Sequence, residues 1–369
     1  MWCFIWLPAC VGLPVNGKVG GQPITTRVDS EAARYYLANY LAGIRSNAAF
    51  DERIDRIYQG ADGNMPDRSE LKRLSDEFSI DFAALYLADW IARAPANRNF
   101  HDAFLQAQDY MRKAFRHGRV KLPVEVINYE VVFVPGYLYK RHPLTGADLA
   151  APMAALRHVG LAHHFIETDE EGAIETNATL VAQAIRARAD LKRRLIVVSV
   201  SKSGPEVALA LTQLGPTLTR HVASWINIVG TLRGTPLADE SLAQQLEDLI
   251  GRVDIAGIES LTTERSRQRF ESLRIPQHIL VLNYIGIPLT GSISSLARTG
   301  FLDLRKHGPN DGLSLLTDLI VPSGLTVAEV GRDHFLLDEQ TDVTTVALAT
   351  AVIRWLRNQR PQISQGPEN

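Results

Sequence analysis

The sequence predicts an α/β fold: a doubly wound, mostly parallel sheet with helices on both faces, preceded by a helical N-terminal region. From about residue 124, short β-branched apolar runs alternate with amphipathic helical patterns, the arrangement from which parallel sheets are built. The runs lack polar alternation, which is what strands covered by helices on both faces require.

Six apolar runs are predicted as strands. They are residues 129–134, 164–167, 195–200, 224–229, 278–285 and 326–330, with helical patterns such as 177–189 and 206–214 between them. Ligands bind outside the carboxyl ends of the strands in such sheets. The residues directly after each strand are therefore the first candidates for a functional site.

Residues 29–118 have a helical pattern. Asp67 and Glu70 have the spacing of a capping box, and the apolar residues after them recur three or four positions apart: Leu71, Leu74, Phe78, Phe82 and Leu85. A further series is Phe100, Phe104, Ala107, Met111 and Phe115. It ends before Gly118, where a helix-terminating glycine belongs. We expect this region to pack on the α/β domain, which spans residues 124–360 and is followed by a tail at 361–369.

The amino-acid composition excludes some classes of partner and of catalytic chemistry. The chain has 369 residues, of which 46% are hydrophobic and 22% charged, as in globular proteins. Its 39 Lys and Arg residues nearly balance 41 Asp and Glu residues, so no nucleic-acid partner is expected. Cys3 and Cys10 are the only cysteines, which excludes a disulfide framework and a cysteine nucleophile in the body of the chain. With neither a P-loop nor an H-E-x-x-H motif, we expect no metal, no cofactor and a small-molecule partner.

Residues 1–28 are predicted to be a leader and linker. The apolar start MWCFIWLPACVGLPV is similar to the end of a secretory signal. Residues 7–10 (LPAC) resemble a bacterial lipobox, in which Cys10 would carry the lipid. This pattern favours a bacterial cell-envelope location, with membrane anchoring through the N-terminus, over a cytoplasmic one. The glycines within 17–21 are interpreted as a loop.

The most informative strand end is the segment LIVVSVSKSGPE at 195–206. Between a strand and a helix it has the form small-x-Ser-x-small, which is typical of a nucleophile elbow with Ser201 at its tip. Ser199 fits this position less well because it lies inside the strand. Ser203 fits less well because Pro205 stands where a small residue is needed, and Pro205 suits the first turn of a helix.

From Tyr129 to the C-terminus the sequence resembles the α/β-hydrolase superfamily, more narrowly its bacterial esterase and lipase branch. It departs from the usual G-x-S-x-G by carrying Ser199 and Ser203 where glycines are commonest. Members have an acid and then a histidine after the serine. The resemblance implies Asp311 in GPNDG and His334 in GRDHF as the partners of Ser201, with His334 as general base.

Other residues compete for these roles. His307 lies on the same loop as Asp311 and is the strongest rival of His334. For the acid, the alternatives are Asp303, Asp318, Asp333 and Asp338. Asp311 is preferred because a turn glycine follows it and because it lies between the last two core strands. Asp333 adjoins the histidine, and Asp318 is interpreted as a surface or capping residue.

The resemblance also implies an oxyanion hole and a cap. The backbone N–H groups of Tyr137, after the first strand of the domain, and of Lys202, after the nucleophile, would stabilise the oxyanion. An insertion at about 231–276 is predicted to be a helical cap over the site. Its apolar positions, Leu242, Leu246, Leu249 and Ile250, could accept an acyl chain or pack on the sheet.

The function expected from the resemblance is hydrolysis of a carboxylic ester or thioester through an acyl-enzyme intermediate. The substrate would be a small-molecule or lipid ester. Two alternatives stay open: an acyltransferase that uses the same triad, and a binding protein of the same fold that has no activity.

Overall fold

A computed structural model describes residues 12–60, 63–239 and 255–359. Cys3, Cys10, the tail at 361–369 and the apolar cap positions Leu242, Leu246, Leu249 and Ile250 lie outside these residues. The described strands are β1 Leu13–Val19, β2 Gln22–Val28, β3 Tyr129–Val134, β4 His163–Phe165, β5 Arg194–Val200, β6 Val222–Ile228, β7 Leu280–Ile287 and β8 Leu325–Val330.

The described helices follow the same order along the chain. They are α1 Glu31–Tyr35, continued by a π-helical turn Tyr36–Tyr40, α2 Ala48–Gly60, α3 Arg68–Glu77, α4 Ile80–Arg93, α5 Pro95–Arg116, α6 Ala150–His158, α7 Ile174–Arg186, α8 Ser203–Leu218, α9 Pro236–Asp239, α10 Ala256–Glu259, α11 Thr263–Ser272, α12 Arg298–Leu304 and α13 Thr341–Asn358. None of the helices in the described ranges is long and apolar enough to cross a membrane.

Strands β3 to β8 form one parallel sheet in the order β4-β3-β5-β6-β7-β8. Each corresponds to a strand predicted from the sequence, which confirms the α/β fold class. The strand order reverses between β3 and β5. Such a switch point leaves a crevice beyond the carboxyl ends of the two strands, where ligands bind in open α/β sheets.

Helices cover both faces of the sheet, as the doubly wound prediction requires. Helices α5, α6 and α13 pack on the face that carries Val131, Phe133, Ile196, Val198 and Ile226. Helices α7 and α8 pack on the face that carries Val132, Val134, Leu195, Val197 and Trp225. Neighbouring residues of a strand point to opposite faces, so continuous apolar runs are buried on both sides.

Residues 13–28 form a β-hairpin where the sequence predicts a linker. Strands β1 and β2 pair antiparallel along their whole length, and Gly20 and Gly21 make the turn between them with φ of 56° and 86°. A two-residue turn with both φ positive matches the twist of paired strands. The buried residues alternate along the hairpin: Val15, Val19, Ile24 and Val28. The linker and loop predicted for residues 13–28 are therefore wrong, and the leader predicted before them lies outside the described residues.

The N-terminal helices begin and end where their capping residues lie. Asp67 accepts a hydrogen bond from Glu70 N at 2.8 Å at the start of α3, and Ser79 caps α4. The apolar series predicted after Asp67 is thus divided between two helices. Helix α5 ends at Arg116, and Gly118, whose φ is 62°, follows it in a Schellman arrangement that satisfies the last carbonyls.

The hairpin and these helices share a core with the end of the sheet. Val28, Phe82 and Leu85 belong to one apolar cluster with Ile285 and Ile287 of β7. Each large apolar side chain buried in this way contributes about 1.5–3 kcal/mol. The packing against the α/β domain that the sequence predicts is therefore present.

Candidate active site

Ser201 stands on a sharp turn between β5 and α8. Its φ is 56°, a conformation that costs a non-glycine residue about 1–3 kcal/mol. The turn is held from both sides: Ser201 N donates to Ile228 O at 3.0 Å, and Ser201 O accepts from Gly204 N at 2.9 Å and Thr231 N at 3.2 Å. These bonds fix the turn so that Ser201 lies beyond the carboxyl end of β5, which is the geometry of a nucleophile elbow.

The two serines that flank Ser201 are fully buried and hydrogen-bonded elsewhere. Ser199 Oγ accepts from Trp225 Nε1 at 2.9 Å. Ser203 Oγ lies 2.9 Å from the carbonyl oxygens of Val134 and Val200. These hydroxyls join β5 and the start of α8 to neighbouring strands, which gives a structural reason for serine where the G-x-S-x-G pattern has glycine. The serine hydroxyl that lies within hydrogen-bond distance of His334 is that of Ser201.

His334 lies between Ser201 and Asp311. Its Nε2 is 2.9 Å from Ser201 Oγ, and its Nδ1 is 2.6 Å from Asp311 Oδ2. The histidine follows β8, on a loop that passes close to Gly286 of β7; a Cβ on that glycine would lie 2.6 Å from Asp333 O. A side chain at position 286 would therefore displace the loop that carries the histidine.

Asp311 is completely buried and held in a turn. Its Oδ1 accepts from Leu313 N at 2.9 Å and from Ser314 N at 2.8 Å, while its backbone oxygen accepts from His334 N at 2.8 Å. The carboxylate thus combines an Asx-type turn with the contact to the imidazole. The second oxygen is left to face Nδ1.

The competing acids point elsewhere. Asp333 accepts from Ser294 N at 2.7 Å and from Phe335 N at 3.1 Å, and Asp338 accepts from Thr344 Oγ1 at 2.7 Å. Asp303 is exposed.

Asp318 is not the surface or capping residue expected, because it is buried and forms an ion pair with Arg68. Burial raises the pKa of its carboxyl, an effect that the Arg68 guanidinium opposes. His307 lies in the 3₁₀ turn Arg305–His307, and it is His334 that approaches Ser201.

The two predicted oxyanion donors lie at the switch point of the sheet. Gly136 N donates to Ala147 O at 2.9 Å, and a Cβ on Gly136 would lie 3.2 Å from Val200 O. The backbone at Gly136, directly before Tyr137, therefore lies close to the carboxyl end of β5. Lys202 directly precedes α8, whose first N–H groups have no acceptor within the helix.

A buried ion pair behind the elbow is a feature that sequence reasoning missed. The side chains of Lys202 and Glu206 are 2% and 1% exposed and form a salt bridge. Glu206 also accepts from Asn177 Nδ2 at 2.9 Å. Burial raises the pKa of the Glu206 carboxyl, and the Lys202 ammonium opposes that shift. Asn177 in turn bonds Asp169 N at 3.1 Å, so the elbow is connected to the loop after β4.

A cavity of about 950 Å³ opens beside Ser201 and His334. It is lined by α5, α6, α13, the sheet and the loops after β3, β7 and β8. Residues 231–239 and 255–276, the described part of the predicted cap, contribute none of its lining. They pack instead at the side of the domain, where Arg269 bonds Glu175 at 2.7 Å. The cap itself stays a prediction.

One wall of this cavity carries a polar pair. Tyr284 donates its hydroxyl to Glu329 Oε1 at 3.0 Å. Burial raises the pKa of the Glu329 carboxyl and that of the Tyr284 phenol.

No family model and no curated protein matches the sequence. Among solved structures, a metagenomic carboxyl esterase is 19% identical; the match covers 65% of this chain and 78% of that one, with a TM-score of 0.53. A mature lipase from Bacillus licheniformis is 22% identical over 56% of this chain and 85% of its own, with a TM-score of 0.48. The likeness to the esterase, together with the parallel sheet and its helices, confirms at the level of fold the resemblance first inferred from the motifs. The chain has the α/β-hydrolase fold.

Proposed function

We propose that this chain is a serine hydrolase that cleaves a carboxylic ester or thioester through an acyl-enzyme intermediate. One observation carries the proposal: Asp311, His334 and Ser201 form a continuous hydrogen-bonded series, with distances of 2.6 and 2.9 Å. A serine hydroxyl is a weak nucleophile at neutral pH, and this arrangement supplies both its base and the group that orients the base. The positive φ of Ser201 supports the same role.

In the proposed reaction, Ser201 Oγ attacks the carbonyl carbon while His334 Nε2 accepts the hydroxyl proton. The carbonyl electron pair moves to oxygen, and the backbone N–H groups of Tyr137 and Lys202 stabilise the oxyanion. When the tetrahedral intermediate collapses, the leaving oxygen or sulfur takes the proton from Nε2. Water then attacks the acyl-enzyme in the same way and releases the acid, while Asp311 stabilises each imidazolium.

Ser201→Ala tests this function. The variant should fold normally, lose hydrolysis of p-nitrophenyl esters by several orders of magnitude, and lose labelling by a fluorophosphonate probe. Ser199→Ala is the matched control: it removes a neighbouring hydroxyl that bonds Trp225 and should keep the labelling. Labelling that persists in Ser201→Ala would overturn the proposal.

Product analysis separates hydrolysis from acyl transfer. With an added alcohol or amine acceptor, a hydrolase releases mainly the free acid, whereas an acyltransferase forms mainly the new ester or amide. A wild-type protein that the probe does not label would favour the binding-protein alternative.

A further inference from the structure

The loop after β4, residues 166–173, is connected to both segments that carry the proposed oxyanion donors. Two adjacent residues of this loop make the connections. Glu170 binds the turn at 137–141, and Asp169 is joined through Asn177 and Glu206 to Lys202. One short loop therefore lies behind both halves of the proposed oxyanion hole.

Glu170 holds the turn that begins with Tyr137. Its Oε2 accepts from Lys140 N at 2.8 Å and from Arg141 N at 3.1 Å, and its backbone oxygen accepts from Leu138 N at 3.3 Å. Leu138 has a φ of 54°, a conformation that costs a non-glycine residue about 1–3 kcal/mol and persists only where its surroundings hold it. Glu170 supplies the acceptors that hold it.

Asn177 holds the other half. This side chain is completely buried, and its Oδ1 accepts from Asp169 N at 3.1 Å. Its Nδ2 donates to Asp169 O at 2.8 Å and to Glu206 Oε1 at 2.9 Å. Both amide hydrogens and the amide oxygen are thus used, so Asn177 fixes the Glu206 carboxylate relative to the loop. The salt bridge from Glu206 then anchors Lys202, the residue that follows the nucleophile.

The burial of this ion pair fits a role in geometry better than a role in stability. The cost of removing Lys202 and Glu206 from water can exceed the attraction between them, so a buried salt bridge is weak evidence for stability. Catalytic groups, in contrast, must be held within about 0.5 Å of the productive position. An anchored Lys202 side chain restrains the backbone N–H of the same residue.

The described part of the insertion after β6 packs behind the same loop. A Cβ on Gly257 of α10 would lie 2.5 Å from Glu171 O and 3.0 Å from Tyr137 Cε2. Ile174 N, at the end of the loop, donates to Ser260 Oγ at 3.3 Å. These contacts restrain the loop from the side of the insertion.

We propose that Glu170 and Asn177 are positioning residues of the oxyanion hole, which hold the N–H groups of Tyr137 and Lys202 at a fixed separation through the loop after β4. The inference rests on the proposed function, because the two N–H groups act on the oxyanion that forms when Ser201 attacks. Neither Glu170 nor Asn177 needs to contact the substrate.

The first measurement is steady-state hydrolysis of p-nitrophenyl acetate by Glu170→Ala and Asn177→Ala. Loss of an oxyanion donor costs about 10²–10³ in kcat, so displacement of one should cost less. We expect kcat to fall roughly ten- to hundredfold with KM within about twofold, because the donors act mainly in the transition state. Glu170→Gln keeps an oxygen that can accept from Lys140 N and Arg141 N, so it should restore most of kcat.

The second measurement is inhibition by a trifluoromethyl ketone, which reports the oxyanion hole directly. Ser201 Oγ adds to the ketone carbon, the hydroxyl proton passes to His334, and the ketone oxygen becomes an oxyanion. The inhibition constant should therefore rise in Glu170→Ala and Asn177→Ala by about the factor by which kcat/KM falls. A merely structural role would lower the melting temperature without linking these two quantities.

Glu167→Ala is the matched control. Glu167 lies on the same loop but binds the Lys140 side chain, with 2.6 Å between Oε1 and Nζ, so this variant should keep the wild-type kcat and inhibition constant. If Asn177→Ala does not fold, the comparison of Glu170→Ala with Glu170→Gln decides alone. A folded Glu170→Ala with the wild-type kcat, or with an unchanged inhibition constant, would overturn the inference. A wild-type protein with neither acetate hydrolysis nor probe labelling would instead refute the proposed function, and the inference with it.

Discussion

Asp311→Asn is the sharpest test of how the candidate site works. Asparagine fits the same buried position, and its Oδ1 can still accept from Leu313 N and Ser314 N, which now bond the aspartate at 2.9 and 2.8 Å. Its amide nitrogen must then face His334 Nδ1, the position of the carboxylate oxygen that is now 2.6 Å away. An N–H group there requires Nδ1 to be unprotonated.

The tautomer that results has its proton on Nε2, which lies 2.9 Å from Ser201 Oγ. This nitrogen would donate to the serine and could no longer accept its proton. Together with the loss of imidazolium stabilisation, we expect kcat to fall by roughly 10²–10⁴, equivalent to about 3–5 kcal/mol of transition-state stabilisation. Stability should change little, because the two backbone hydrogen bonds remain.

The assay is steady-state hydrolysis of a p-nitrophenyl ester together with the rate of fluorophosphonate labelling, which reports nucleophilic attack by the serine alone. Both should fall by similar factors, and circular dichroism should be unchanged. Asp318→Asn is the control, since Asp318 is also buried but pairs with Arg68; we expect it to cost less than about tenfold in kcat. If Asp318→Asn abolishes turnover while Asp311→Asn is nearly silent, the acid has been misassigned.

Two further predictions concern buried charge. Glu206→Gln leaves the Lys202 ammonium buried without a counter-charge, so the free energy of unfolding should fall by about 3–5 kcal/mol in a denaturant titration. Combining Lys202→Met with Glu206→Leu should recover most of that loss, and a double variant as unstable as the single one would contradict this explanation. Burial and the nearby carboxylate of Asp29 raise the pKa of Asp81 from 3.8 to about 7. The folded protein therefore holds a proton that the unfolded chain releases, and this contribution to stability is present below about pH 4 and lost as the pH rises to about 7. Asp29→Asn should flatten that decline in melting temperatures measured across this range, and an unchanged decline would refute the coupling.

The parallel sheet could be predicted because strands buried on both faces leave a strong local signal. The runs at 129–134 and 195–200 have no polar alternation, and the structure has strands at Tyr129–Val134 and Arg194–Val200. Ser201 could be located because it directly follows the second of these strands, and the carboxyl end of a strand is where a parallel sheet presents functional side chains. Asp311 and His334 are inferred from the resemblance to the α/β-hydrolase superfamily.

Features that depend on tertiary packing could not be predicted in this way. Lys202 and Glu206, four residues apart, have the spacing of an ordinary surface pair on a helix; their burial follows from the position of α8 against the sheet. The hairpin at 13–28 did leave a local signal in the glycine pair at its turn. The apolar residues before the hairpin are similar to the end of a secretory signal peptide, so the glycine pair is interpreted as part of a loop.

The packing of the hairpin against the sheet also has a consequence for the order in which the protein can fold during synthesis. Val28 and Phe82 are made early, yet their cluster includes Ile285 and Ile287 of β7. Chains fold from the N-terminus as they emerge from the ribosome, and contacts between distant parts of a sequence form late. The hairpin and the helices after it are thus synthesised before the sheet, but their shared core is incomplete until Ile320 has been added.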